Sequence, residues 1–258
     1  MSDDNFAILP TATVEPSERW VRVKYNGEFI ADSRKPQLLL IYGPGRLPTY
    51  FFSQDEVQID LLEEGDKDDA DDIFGPTQYW HVKVGDKLAR NAAWAYTDPP
   101  AEYADLKDKI TFFWPKMEAW YEEEERVFVH ARDPHKRVDV MPSSRHVRIE
   151  KDGVTIADSQ RPYLLFETHL PVRYYLPRED VKMEFLEDTS LHTSCPYKGH
   201  ADYWSVKVGD KTYKDLVWSY PEPIPENPKI KELMAFYNEK LDIYVDGELQ
   251  PRPVTPWS

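Results

Sequence analysis

A chain of 258 residues, 41% hydrophobic and 31% charged, has the length for two domains, each with its own core. Its net charge of −15 excludes sequence-independent binding of nucleic acid, which needs clustered Lys and Arg, and docking on anionic membranes. No apolar run approaches the roughly 18 residues of a membrane-spanning helix. The acidic start is not that of a signal peptide, and a single cysteine makes no internal disulfide, so the expected compartment is the cytoplasm.

In chain order, residues 1–19 lack a hydrophobic period and are expected to form an extended arm. From Trp20 to Tyr25 polar and apolar residues alternate as in a strand, Asn26-Gly27 signals a tight hairpin, and Phe29–Ala31 begins the return. Gln37–Tyr42, Thr49–Ser53 and Val57–Leu62 read as further strands. The acidic run from Glu56 to Asp72 has the oxygens of a calcium loop, but Ala70 and Asp71 stand where a ligand and the turn glycine belong, so a solvated loop is expected. Tyr79–Val84 and Leu88–Tyr96 form the next hairpin around Gly85-Asp86. Leu106, Ile110 and Phe113 then fall at helical spacing before Pro115, and Glu122–Glu125 reads as a solvated helix end. Residues 130–146, basic and proline-punctuated, read as a linker.

At Val147 the sequence starts again. VRIEKDGVTIADS repeats VRVKYNGEFIADS at an offset of 126, and Tyr203-Trp204 and Trp218-Ser219-Tyr220 repeat Tyr79-Trp80 and Trp94-Ala95-Tyr96 at 124. A period above 100 residues means tandem domains, 20–129 and 147–250, followed by a tail at 251–258. Ile230, Leu233, Met234, Tyr237 and Leu241 again suggest a closing amphipathic helix behind Asn227-Pro228.

The run from Ala157 to Glu187 (ADSQRPYLLFETHLPVRYYLPREDVKMEFLE), then His192–Val206 with its HTSCPYKG loop, then Val217–Pro223 resembles the domain of unknown function 427 family, and the linker resembles that of members carrying the domain twice. The resemblance implies mainly β architecture: two tandem antiparallel β-tent-like domains, each with the C-terminal helix suggested above. A nucleotidyltransferase label is sometimes attached to the family. No Gly-Ser pair leading into spaced carboxylates and no Gly-rich phosphate loop supports it here. Other β-tent domains hold zinc with paired cysteines, which a single cysteine does not reproduce.

The HTSCPYKG loop occurs only in the second repeat, and that asymmetry marks a site. Cys195 with His192 has the elements of a thiolate and its base, and His192, Cys195 and His200 have the ligand types of a zinc site; turn residues account for both sets, so no metal and no cofactor is expected. Asp158-Ser159 and Asp32-Ser33 read as turn caps. The aromatic set of Tyr174, Tyr175, Tyr197, Trp204, Trp218 and Tyr220 has two readings, core or pocket wall. As a pocket, Tyr175, Tyr197, Trp204, Trp218 and Tyr220 supply walls, with Arg161, Lys198 and Glu167 as polar handles. The expected function is binding of an unidentified small molecule or sugar; an enzyme acting on a small metabolite and a structural or partner-binding protein are the alternatives.

Overall fold

In the computed structural model, which describes residues 12–43, 45–67, 69–255 and 257–258, the chain divides after Asp133 into two units with the same strand plan. Both are mainly β and antiparallel, as expected. Most of the expected arm lies outside the described residues, but Thr13–Pro16 is a strand paired with Gln37–Leu40.

The second unit is the simpler to follow. Its long sheet has seven strands, in the order Val138–Pro142, Tyr163–Glu167, Arg173–Leu176, Met234–Phe236, Lys211–Ser219, Gly199–Val208 and Leu186–Cys195. Its short sheet has four: Val154–Ser159, Val147–Lys151, Asp242–Val245 and Glu248–Leu249. The first unit repeats this order. Its Thr13–Pro16, Gln37–Leu40 and Thr49–Phe51 strands continue into Ile110–Phe112, Lys87–Tyr96, Gly75–Val84 and Leu62–Glu64 through paired backbone hydrogen bonds of 2.8 Å between Phe52 and Ile110. Tight hairpins close on Asn26-Gly27 and Asp152-Gly153, whose positive φ values (46° and 86°, 49° and 77°) are those of a two-residue turn matched to strand twist.

Because side chains alternate along a strand, the long sheet has two apolar faces. In the second unit Leu164, Tyr174, Leu176, Trp204, Val206 and Val217 point to the short sheet and pack on Val147, Ile149, Ile156 and Ile243. On the far face, Val140, Leu165, Tyr175, Tyr203, Trp218 and Tyr220 form a second cluster, closed by Ile230.

Four expectations are corrected. The closing amphipathic helices do not form: Ala101–Leu106 and Pro228–Ile230 are 3-10 turns, and Ile110–Phe112 and Met234–Phe236 are sheet strands. The break is local, since Asp108 and Glu232 sit at φ 57° and 59°, where a right-handed helix stops. Residues 138–142, expected in the linker, are the outermost strand of the second sheet. Val57–Leu62 holds a 3-10 turn, Ile59–Leu61, and the acidic run that follows carries strands at Leu62–Glu64 and Asp69–Asp71; its Asp68 lies outside the described residues. Glu122 ends a strand, and its carboxylate is buried, accepting from Tyr50 Oη at 2.8 Å and Arg19 Nη1 at 3.0 Å.

Candidate functional site

The HTSCPYKG loop folds as a hairpin turn that closes on the pair Cys195–Gly199. Gly199 has φ +117°, and a Cβ there would lie 3.0 Å from the Glu222 carbonyl oxygen, so only glycine allows this close approach. The approach is held by Ile224 N–H donating to Lys198 O at 3.1 Å and by Asn227 Nδ2 donating to Tyr197 O at 2.7 Å. Pinned in this way, the turn carries Tyr197 and Lys198 over the far face of the long sheet.

There Lys198 Nζ donates to the buried Glu167 carboxylate, which also takes Lys136 Nζ at 3.1 Å. Burial opposes the charge on both partners. The Glu167 carboxylate outweighs it for Lys198, holding that amine above the ordinary lysine range. The Lys198 and Lys136 ammoniums likewise hold Glu167 below the ordinary carboxylate range. Beside them Trp218 Nε1 donates to Tyr175 Oη at 3.2 Å, and burial pushes the Tyr175 hydroxyl up to about 12 against the pull of Lys198. Half-buried Cys195 lies within electrostatic reach of Lys198, Tyr175 and Tyr220.

Five of the expected site residues therefore meet: Tyr175, Tyr197, Lys198, Trp218 and Tyr220. The four aromatic ones are 1%, 9%, 7% and 5% exposed, so in this state they fill a core instead of walling an open pocket. Two expected residues stand elsewhere. Trp204 pairs across the ladder with Val217, one step from the Tyr203–Trp218 pair, and alternation sends it to the opposite face, between the sheets. Arg161, whose side chain is 63% exposed, binds Asp180 through Nε at 3.1 Å and Nη2 at 3.0 Å. His192 is no base for Cys195, since it faces Asp202 at 2.9 Å, and three residues' separation on a strand puts the two side chains on opposite faces. Ser159 and Ser33 do cap their turns, accepting the N–H of Arg161 at 3.2 Å and of Lys35 at 3.0 Å. Among the described residues no cluster of three or more His, Cys, Asp or Glu side chains is arranged to hold a metal.

Sequence reasoning missed the far end of the same face. Arg173 makes a bidentate pair with Glu239, both bonds 2.7 Å, and Thr255 from the tail donates to the same carboxylate at 2.6 Å. The rings of Trp218, Tyr237 and Trp257 stand 5.7, 5.8 and 5.7 Å from the guanidinium. A charge inside the apolar strand Arg173–Leu176 was the available signal. Lys136 gave none, because its segment read as linker.

The matching register lets the two domains be compared position by position. Gln37↔Phe51 answers to Tyr163↔Tyr175, and Asp71↔Gly75 to Cys195↔Gly199. Ile41, Phe51 and Phe74 thus occupy the places of Glu167, Tyr175 and Lys198. In the first domain these three pack with Leu39, Tyr96 and Leu106 in an apolar cluster. The sequence profile described as domain of unknown function (DUF427) matches residues 13–123 and again 139–247, most of the chain. The chain belongs to the DUF427 family. Each copy of the DUF427 domain takes in strands from end to end of a long sheet, and the second copy holds the turn with Lys198 and Glu167. Among curated proteins none matches the chain. Also among the described residues, no helix is long and apolar enough to cross a membrane.

Proposed function

We propose that this tandem DUF427 protein is a small-molecule-binding protein, with its ligand site on the far face of the second domain's long sheet, under the 195–199 turn. One observation carries the reading. The second domain buries an ammonium and a carboxylate where the first places Phe74 and Ile41. Burying a charge pair costs several kcal/mol per ion in desolvation, and apolar residues in its place are often neutral or stabilising. The first domain is a working example of that replacement, so folding does not account for the charges in the second.

Tyrosine and tryptophan side chains give such a face flat walls with hydroxyl and indole handles, suited to a planar metabolite or a sugar ring. The walls touch one another in the closed state, so a ligand enters as the turn lifts, and the turn acts as a lid. A thermal-shift screen of the full chain against metabolite and sugar collections tests this. Hits should lose binding on Lys198→Ala and Tyr197→Ala. Hits that bind both variants undiminished contradict the proposal.

A further inference from the structure

Each domain places a tyrosine and an arginine at one corner of its long sheet, on the face toward the short sheet. Tyr50 pairs with Leu38 and Tyr174 with Leu164, so the two tyrosines hold the same position. Arg19 and Arg145 correspond likewise, because their backbones are held alike. The N–H groups of Ser17 and Ser143 donate to Pro36 O and Pro162 O, both at 2.9 Å, and the two serine hydroxyls accept the arginine N–H at 3.3 and 3.2 Å.

In the first domain this corner holds a carboxylate. One oxygen of Glu122 accepts Tyr50 Oη at 2.8 Å and the Arg132 N–H at 3.1 Å, and the other accepts Arg19 Nη1 at 3.0 Å. The chain covers the place with Ala131, whose N–H donates to Pro48 O at 3.1 Å, and Tyr50 is 0% exposed. Beside the seated carboxylate a depression of about 500 Å³ remains, lined by Arg19, Glu122 and Arg132.

The second domain has the donors without the acid. Val245↔Val147 answers to Glu122↔Val21, so a shorter, apolar side chain stands in the place of the glutamate. The covering segment is absent too. Val172 O, the counterpart of Pro48 O, accepts Asn238 Nδ2 at 2.9 Å, and the tail runs to Glu239. Tyr174 accordingly gains a 9% exposure, and Arg145 is exposed. Among the described residues neither the Tyr174 hydroxyl nor the Arg145 guanidinium has a hydrogen bond or an ion pair. Asp246, the next residue after Val245, accepts the His146 N–H at 2.9 Å. Burial pushes the Tyr174 hydroxyl up and the Arg145 guanidinium pulls it back, which puts the two groups in one another's field. Two donors therefore share an open corner that no acceptor serves, and a carboxylate is the group that matches both.

Going beyond the far-face site, we propose that Tyr174 and Arg145 form a second binding site, which takes the carboxylate of a small organic acid where the first domain seats its own Glu122. The acid accepts from the hydroxyl on one oxygen and from the guanidinium on the other, and its body lies against Val245 in the space that Ala131 and Arg132 fill in the first domain.

Calorimetric titration of the full chain with benzoate, with benzamide as the uncharged probe and phenyl phosphate as the other anion, tests this. Benzoate should bind at least about tenfold tighter than benzamide, as expected for charge-assisted bonds. Arg145→Gln and Tyr174→Phe should each weaken it about tenfold at unchanged melting temperature, since neither side chain has a bond to lose. Val245→Glu, which rebuilds the internal carboxylate of the first domain, should abolish binding in a protein that still melts cooperatively. Arg161→Ala, which removes the same charge from an arginine already paired with Asp180, should leave it unchanged. Equal affinity for benzoate and benzamide, or undiminished benzoate binding by Arg145→Gln or Val245→Glu, overturns the proposal. Phenyl phosphate binding tighter than benzoate overturns the carboxylate assignment. Benzoate binding that is lost on Lys198→Ala and kept on Arg145→Gln belongs to the far face, and overturns this site while supporting the other.

Discussion

Replacing Glu167 by isoleucine separates the cost of the buried charges from the needs of the fold. Glu167 faces two ammoniums, Lys198 and Lys136, whose side chains are each 13% exposed. Glu167→Ile leaves both without their shared carboxylate, and breaking a buried pair costs about 3–5 kcal/mol. Lys198→Phe should cost less, because Glu167 keeps Lys136 at 3.1 Å. The double variant Glu167→Ile/Lys198→Phe recreates the Ile41 and Phe74 arrangement of the first domain but still takes the carboxylate from Lys136, so it should recover a large part of the single variant's loss. Urea unfolding of the full chain, followed by tryptophan fluorescence, reads the second-domain transition. With a slope of about 1–3 kcal/mol per molar urea, the single Ile variant should lower that midpoint by about 1–5 M. The double variant should restore a large part of it. A double variant as weak as the single would refute the argument that these charges are dispensable to the fold, and a Glu167→Ile protein as stable as the parent would refute the cost assigned to breaking the pair.

Three further outcomes follow from the same geometry. Glu167 and Glu239 are held below the ordinary carboxylate range, so their contribution is present above the unfolded value of about 4.3 and lost as pH falls through the folded values; the second domain should melt earlier below that pH, and the double variant should show a shallower acid slope. Gly199→Ala should destabilise by about 1–3 kcal/mol, because its φ and the Glu222 carbonyl both reject a side chain, whereas Gly209→Ala, with nothing within 4 Å of the added carbon, should cost less in parallel melts. Thr255→Val removes a 2.6 Å bond to the Glu239 carboxylate and should lower the second-domain transition by about 1.5–3 kcal/mol; an unchanged transition would mean that the tail contributes nothing there.

The tandem repeat, the antiparallel class and the hairpins at Asn26-Gly27 and Asp152-Gly153 were legible because alternation and turn chemistry are local signals. The closing helices were misread for an equally local reason. Ile230, Leu233, Met234 and Tyr237 keep a helical period, but Glu232 at φ 59° breaks the chain there, and Met234–Phe236 is claimed by a place in the sheet between two longer strands. Nonlocal pairing overrode a good periodicity. At the site, the turn delivering Tyr197 and Lys198 could be read from Cys195-Pro196 and Gly199. The face chosen by Trp204 could not, because it depends on the register of Gly199–Val208 against Lys211–Ser219, which shifts at a bulge beyond Trp204. Arg161 looked like a handle because its partner Asp180 is 19 residues away and meets it only in the fold.

The most direct test of the central claim is a crystal structure of the full chain grown with the best hit of the screen at saturating concentration. The account predicts ligand density on the far face of the second domain's long sheet, against Tyr175 and Trp218, with the 195–199 turn displaced from its bonds to Ile224 and Asn227. Density instead in the depression of about 500 Å³ lined by Arg19, Glu122 and Arg132 in the first domain, or a ligand resting outside an unmoved turn, would contradict it.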